Sequence, residues 1–91
     1  MRIDAPFITM ENAASLLDVG VAAIARGDTH FDFSAVGNVD SAAVALVLAW
    51  QRAARAQGAS LTLAGVPDGL LSLARLYGVE SLLDGERRAV E

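Results

Sequence analysis

A chain of 91 residues with 54% hydrophobic and 20% charged residues holds enough apolar material for one compact core and too little charge to stay disordered over most of its length. Its net charge of −4 argues against nucleic acid as a partner, because phosphate binding needs clustered cations. All seven cations are arginine, so a Walker-type phosphate loop, which needs a lysine, is excluded.

Cysteine is absent, which removes disulfides and thiol chemistry. The opening residues Met1-Arg2-Ile3-Asp4-Ala5-Pro6 are too polar and interrupted for a secretory signal. No apolar run reaches the roughly 18 residues of a membrane span. The expectation is a single cytoplasmic domain over residues 1–91, with its core at about 5–83 and a frayed tail at 84–91.

Residues 5–9 read as a short strand, with Pro6 at its start or at a sheet edge. Either Thr9 or Asn12 can cap the helix that follows. Over residues 13–25, Ala13, Ala14, Leu17, Val21 and Ile24 fall on one helical face, opposite Glu11, Ser15, Asp18 and Arg26. Gly20 weakens this helix by about 1 kcal/mol relative to alanine, and Gly27 suits its end. Residues 29–34 form a second strand, with Phe31 and Phe33 on one side and His30, Asp32 and Ser34 on the other. His30 is the only histidine and has no second histidine or cysteine with which to share a metal, so a structural or surface role is expected for it.

The helix over residues 41–57 presents Ala43, Leu46, Val47, Trp50, Ala53 and Ala54 to the core. Its opposite face is charged in the second half, with Gln51, Arg52 and Arg55. In the first half the same face carries Ser41, Val44, Ala45 and Leu48. A helix apolar all round at its start is covered there, by its own chain or by a partner docking over Ser41. Residues 60–64 are a third strand, and Gly65-Val66-Pro67-Asp68 turns the chain into a helix with Leu70, Leu73, Ala74 and Tyr77 on one face. Residues 79–83 suit a last short strand or a helical turn.

The loop before residue 41 delivers Asp40 and Ser41 to a helix start. The serine hydroxyl there can cap the helix by accepting a free backbone N–H. It is equally suited to phosphorylation or docking, because the positive end of the helix dipole tolerates added negative charge. Asp32 and Ser34 suit a loop-holding role, the carboxylate accepting backbone N–H groups. No catalytic set forms, since His30 and Ser41 lie at opposite ends of a strand and loop. The expectation is that the protein is not an enzyme and carries no cofactor or metal.

Asp32-Phe33-Ser34 followed by Val39-Asp40-Ser41-Ala42-Ala43-Val44 resembles the signature of STAS domains, the modules of sulfate transporters and anti-sigma-factor antagonists. Ala43 stands where that signature usually has glycine. Residues 57–63 and 70–79 are similar to those of one branch, the small cytoplasmic STAS subunit of the Mla phospholipid-transport system. The resemblance spans residues 28–83. It implies an α/β fold with a small, mostly parallel sheet and three main helices, shortened at the N-terminus to one strand before the first helix. It also implies a regulatory or stabilising subunit of the ATPase of a phospholipid-transporting ABC complex that maintains outer-membrane lipid asymmetry. Such a subunit reaches the permease through the ATPase, sits at the inner membrane by way of that partner, and does not insert into the bilayer. Partner binding then falls to Ser41, Asp40, Val44, Ala45 and Leu48. The alternatives are an anti-sigma-factor antagonist controlled by phosphorylation of Ser41, and a lipid- or nucleotide-binding module using the same loop.

Overall fold

A computed structural model describes residues 1–83; the tail expected at 84–91 lies outside the described residues. Strands β1 (Phe7–Ile8), β2 (His30–Asp32), β3 (Asn38–Val39) and β4 (Thr62–Ala64) alternate with helices α1 (Ala13–Ala25), α2 (Ser41–Ala56) and α3 (Asp68–Leu76). A 3-10 turn, Glu80–Leu83, closes the described chain and decides between the two conformations that residues 79–83 suited. Both strand pairs are parallel: β1 with β3, and β2 with β4. This is the compact α/β arrangement that the alternation of strands and helices predicts.

The stretch before α1 contributes more than the single strand expected. Arg2 bridges Asp32 in parallel, and Phe7 and Ile8 then pair with Asn38 and Val39. The N-terminal segment therefore runs beside the whole stretch from β2 to β3, its register slipping by one residue where the chain turns after Phe33. β3 was read from sequence as loop. Two residues with an Asn and a neighbouring Gly give no alternation to detect, and only pairing with β1 makes them a strand.

Two helical faces also differ from their patterns. In α1 the buried residues are Gly20, Ala23 and Ile24, with Leu16 and Leu17 half-buried, while Ala14 and Val21 are exposed. The cause is Trp50, fully buried in α2, whose indole lies directly against Gly20. A Cβ on Gly20 would stand 2.1 Å from Trp50 Nε1. The helix turns its glycine, not its valine, toward the core, because that is where a tryptophan leaves no room. In α3, Leu70 and Ala74 are buried but Tyr77 is 53% exposed, since the helix ends at Leu76 and Tyr77 turns away at its C-cap.

Trp50 is also the centre of the core. It meets Phe31 edge-on at 4.9 Å between ring centroids and Phe33 at 6.2 Å, contacts worth about 0.5–1.5 kcal/mol each beyond area burial. Its Nε1–H donates to the Leu17 carbonyl at 3.3 Å, so the one polar atom of the indole is not left unpaired. At the C-terminal end of the helix pair, Gln57 Nε2 donates to the Ile24 carbonyl at 2.6 Å. The α1–α2 pair is thus fixed at two points, one along the helices and one at their C-terminal ends.

Candidate functional site at the start of the second helix

In a parallel sheet the loops with freedom to bind lie beyond the carboxyl ends of the strands. Here the residues after Ile8 and Val39 meet beyond the β1–β3 pair, where the start of α2 rises, and Asp32 and Ala64 end the β2–β4 pair. Asp40 has extended backbone (φ −124°, ψ −171°), and its carboxylate accepts from the Ala42 N–H at 2.8 Å. Its second oxygen accepts from the Met10 N–H at 3.2 Å, and its own N–H donates to the Ile8 carbonyl at 3.1 Å. One residue therefore caps α2 and ties it to the loop ahead of α1.

Ser41 is consequently not the cap. It is the first residue of α2, exposed, and among the described residues its hydroxyl has no hydrogen-bond partner. The first turn of the helix holds no acidic side chain. A free hydroxyl at the positive end of a long helix is chemically open to an added phosphate or to a partner's acceptor.

Asp32 and Ser34 sit at the end of β2. The Asp32 carboxylate accepts from both the N–H and the hydroxyl of Ser34. The Ser34 hydroxyl first, then its backbone N–H, hold the Asp32 carboxyl below the usual carboxylate range, and the positive charge of Arg2 adds to this. Gly65 packs over the pair with φ +65°, and a Cβ there would stand 2.5 Å from Ser34 Oγ. Sequence reasoning missed this contact, although the Gly65-Val66-Pro67 turn carried its signal.

The other candidate residues separate. Val44 is half-buried and packs against the core, Leu48 is half-buried, and Ala45 is exposed. Ser41 and Ala45, one turn apart on α2, are thus more open than Val44 and Leu48. The open apolar surface lies on the neighbouring flank of α2, where it meets α1. Ala13, Ala14 and Leu17 of α1 and Ala42, Ala45 and Ala49 of α2 line a groove of about 200 Å³. Met10, 84% exposed, lies at the Ser41 end of this groove because its N–H is held by Asp40. Of this surface only Ala45 was singled out from sequence. The three α1 residues fall on the apolar face of that helix in the sequence pattern, and the density of alanine on two successive helices is visible there.

His30 is exposed at the start of β2, away from the start of α2. Among the described residues no three His, Cys, Asp or Glu side chains group so as to hold a metal ion.

No curated relative matches the chain. The family model described as "Mlab, STAS domain" matches residues 7–84, from β1 through the 3-10 turn, with the Asp40-Ser41 turn inside. That match takes in well over half the chain, and the three helices with two small parallel sheets of two strands each agree with it. The chain belongs to the STAS family, whose domains are generally non-catalytic binding and regulatory modules.

Proposed function

We propose that this STAS domain is the small, non-enzymatic subunit that binds the ATPase of a phospholipid-transporting ABC complex and regulates or stabilises it. Through the ATPase it reaches the permease, and with them it serves outer-membrane lipid asymmetry from the cytoplasmic face of the inner membrane. The observation that carries the reading is the match over residues 7–84 to the family described as "Mlab, STAS domain". The free hydroxyl of Ser41 on an exposed helix start supports a partner-facing role for that end. Among the described residues no helix is long and apolar enough to cross a membrane, and the proposed membrane association is through the ATPase.

The test is co-expression with the ATPase subunit from the phospholipid-transport gene cluster of the same genome. The two chains should purify together, and the ATPase should change in turnover or in thermal stability when this subunit is removed. An ATPase that neither binds the chain nor responds to it overturns the reading.

One observation favours a second reading. The Ser41 hydroxyl, exposed and without a partner among the described residues, suits the phosphorylation control of an anti-sigma-factor antagonist. Fragmentation mass spectrometry of the peptide containing Ser41, from protein taken from its native cells, decides whether Ser41 carries phosphate.

A further inference from the structure

The groove between α1 and α2 has walls of alanine and leucine and a border of opposite character. Asp18 follows Ala14 by four residues, so it stands on the same face of α1 one turn further on. Glu11 precedes Ala13 next to Met10, and Asp40 stands at the Ala42 end. Glu11 and Asp18 are exposed and make no ion pair among the described residues. Arg52 follows Ala49 by three residues, beyond the far end of the groove.

We propose that this groove receives an amphipathic helix of a partner protein, an apolar row of side chains flanked by arginine or lysine. The proposal rests on the partner-binding reading above and assigns the docking surface to the α1–α2 groove, off the Val44 and Leu48 side of α2. Charge selects the occupant. A second copy of the same chain would bring its own Glu11 and Asp18 against these carboxylates, and an anionic lipid surface would be repelled in the same way. Size selects it too. About 200 Å³ is below the roughly 300–1,000 Å³ of small-molecule sites, yet it takes one or two aliphatic side chains of a helix laid along it. Alanine on both walls lets a third helix approach closely, and Met10 supplies an adaptable apolar lip.

Two measurements test this, each on the full chain. The first titrates the ATPase subunit against the parent, Ala45→Arg, Asp18→Arg and Arg55→Asp at low and high salt. Ala45→Arg places bulk and positive charge at the groove mouth and should weaken binding by about a hundredfold, equivalent to about 2.8 kcal/mol. Asp18→Arg should weaken it five- to tenfold and flatten the salt dependence, while Arg55→Asp leaves it unchanged. If the ATPase binds the parent and the groove variants equally, the groove assignment is wrong and the function reading stands. If the ATPase does not bind the parent, the function reading fails, and the second measurement decides the groove alone.

That second measurement uses two 18-residue helical peptides with the same leucine–alanine row, one flanked by arginine and one by glutamate. The arginine peptide should shift the amide resonances of Ala13, Leu17, Ala45 and Ala49, and the glutamate peptide should not. Equal binding of both peptides, binding of neither, or shifts elsewhere on the surface overturn the proposal.

Discussion

Trp50 occupies the space that a side chain on Gly20 would need: an added Cβ would lie 2.1 Å from Nε1 and 2.3 Å from Cε2 of the indole. The backbone of α1 thus lies directly on the ring that Phe31 and Phe33 contact from the sheet side. Sheet, tryptophan and glycine form one stack through the molecule, and the spacing of α1 from α2 is set by it.

Gly20→Ala follows directly. Alanine gains about 1 kcal/mol in helix propensity, but overpacking a close-packed core typically costs about 1–3 kcal/mol, and contacts this short force the two helices apart. With the cost at the upper end of that range the expected outcome is a net loss of about 1–2 kcal/mol, at about 4–8 °C in Tm per kcal/mol for a domain of this size. Thermal melts check it, and in a Trp50→Leu background the same substitution should cost less, since the clashing ring is gone. An unchanged or raised Tm in the parent background contradicts the stack.

The two residues at the start of α2 should separate in their effects. Asp40→Ala removes the cap and the tie to Met10, and should cost about 1–2 kcal/mol in denaturant melts. Ser41→Ala removes a hydroxyl without a partner among the described residues and should stay within about 0.5 kcal/mol of the parent. Its effect should appear in binding to, or turnover of, the ATPase partner. Equal loss of stability in both variants would show that Ser41 shares the capping role.

How much of this was legible in the sequence depended on where the signal lay. The core face of α2 was written in its own spacing: Ala43, Leu46, Val47, Trp50 and Ala54 are all buried. β2 and β4 were legible because Phe31, Leu61 and Leu63 alternate with polar or small residues. α1 was misjudged in azimuth because a glycine contributes nothing to an apolar pattern, yet here it marks the closest contact of all. β3 and the Arg2 bridge exist only through pairing between distant segments. At the site, the turn was legible from Asp40-Ser41, but the choice of cap was not, because adjacent Asp and Ser have similar capping preference. The groove needed two helices brought together, and neither helix alone displays it.

The Asp32–Ser34 pair makes a pH prediction. The hydrogen bonds from Ser34 depress the folded-state value of the Asp32 carboxyl. A group with a depressed folded value contributes stability that is present above the unfolded value, about 3.9, and is lost as pH falls through the folded value. In the parent, Asp32 should therefore titrate below the usual carboxylate range in carboxyl-detected NMR. In Ser34→Ala it should titrate higher. The stability difference between parent and Ser34→Ala should be present at neutral pH and shrink as the solution is acidified below about pH 4. A difference that stays constant through that window would show that Ser34 acts on the loop without acting on the carboxylate.

Neighbouring positions on α2 give the last prediction. Val44 packs against the core while Ala45, the next residue, is exposed. An aspartate at position 44 would hold a carboxylate against apolar side chains with no partner, so Val44→Asp should destabilise the free domain by about 1–3 kcal/mol. Leu48, half-buried one turn on, lies between the extremes, and Leu48→Asp should cost less than Val44→Asp but more than Ala45→Asp. Arg55, exposed at the far end of α2, provides the neutral control, with Arg55→Asp within about 0.5 kcal/mol of the parent apart from its loss of a favourable charge in the last turn. Denaturant melts of the four variants should rank them in that order. A Val44→Asp domain as stable as the parent would mean that this flank of α2 is open to solvent. The docking surface would then extend across the helix instead of ending at the α1–α2 groove.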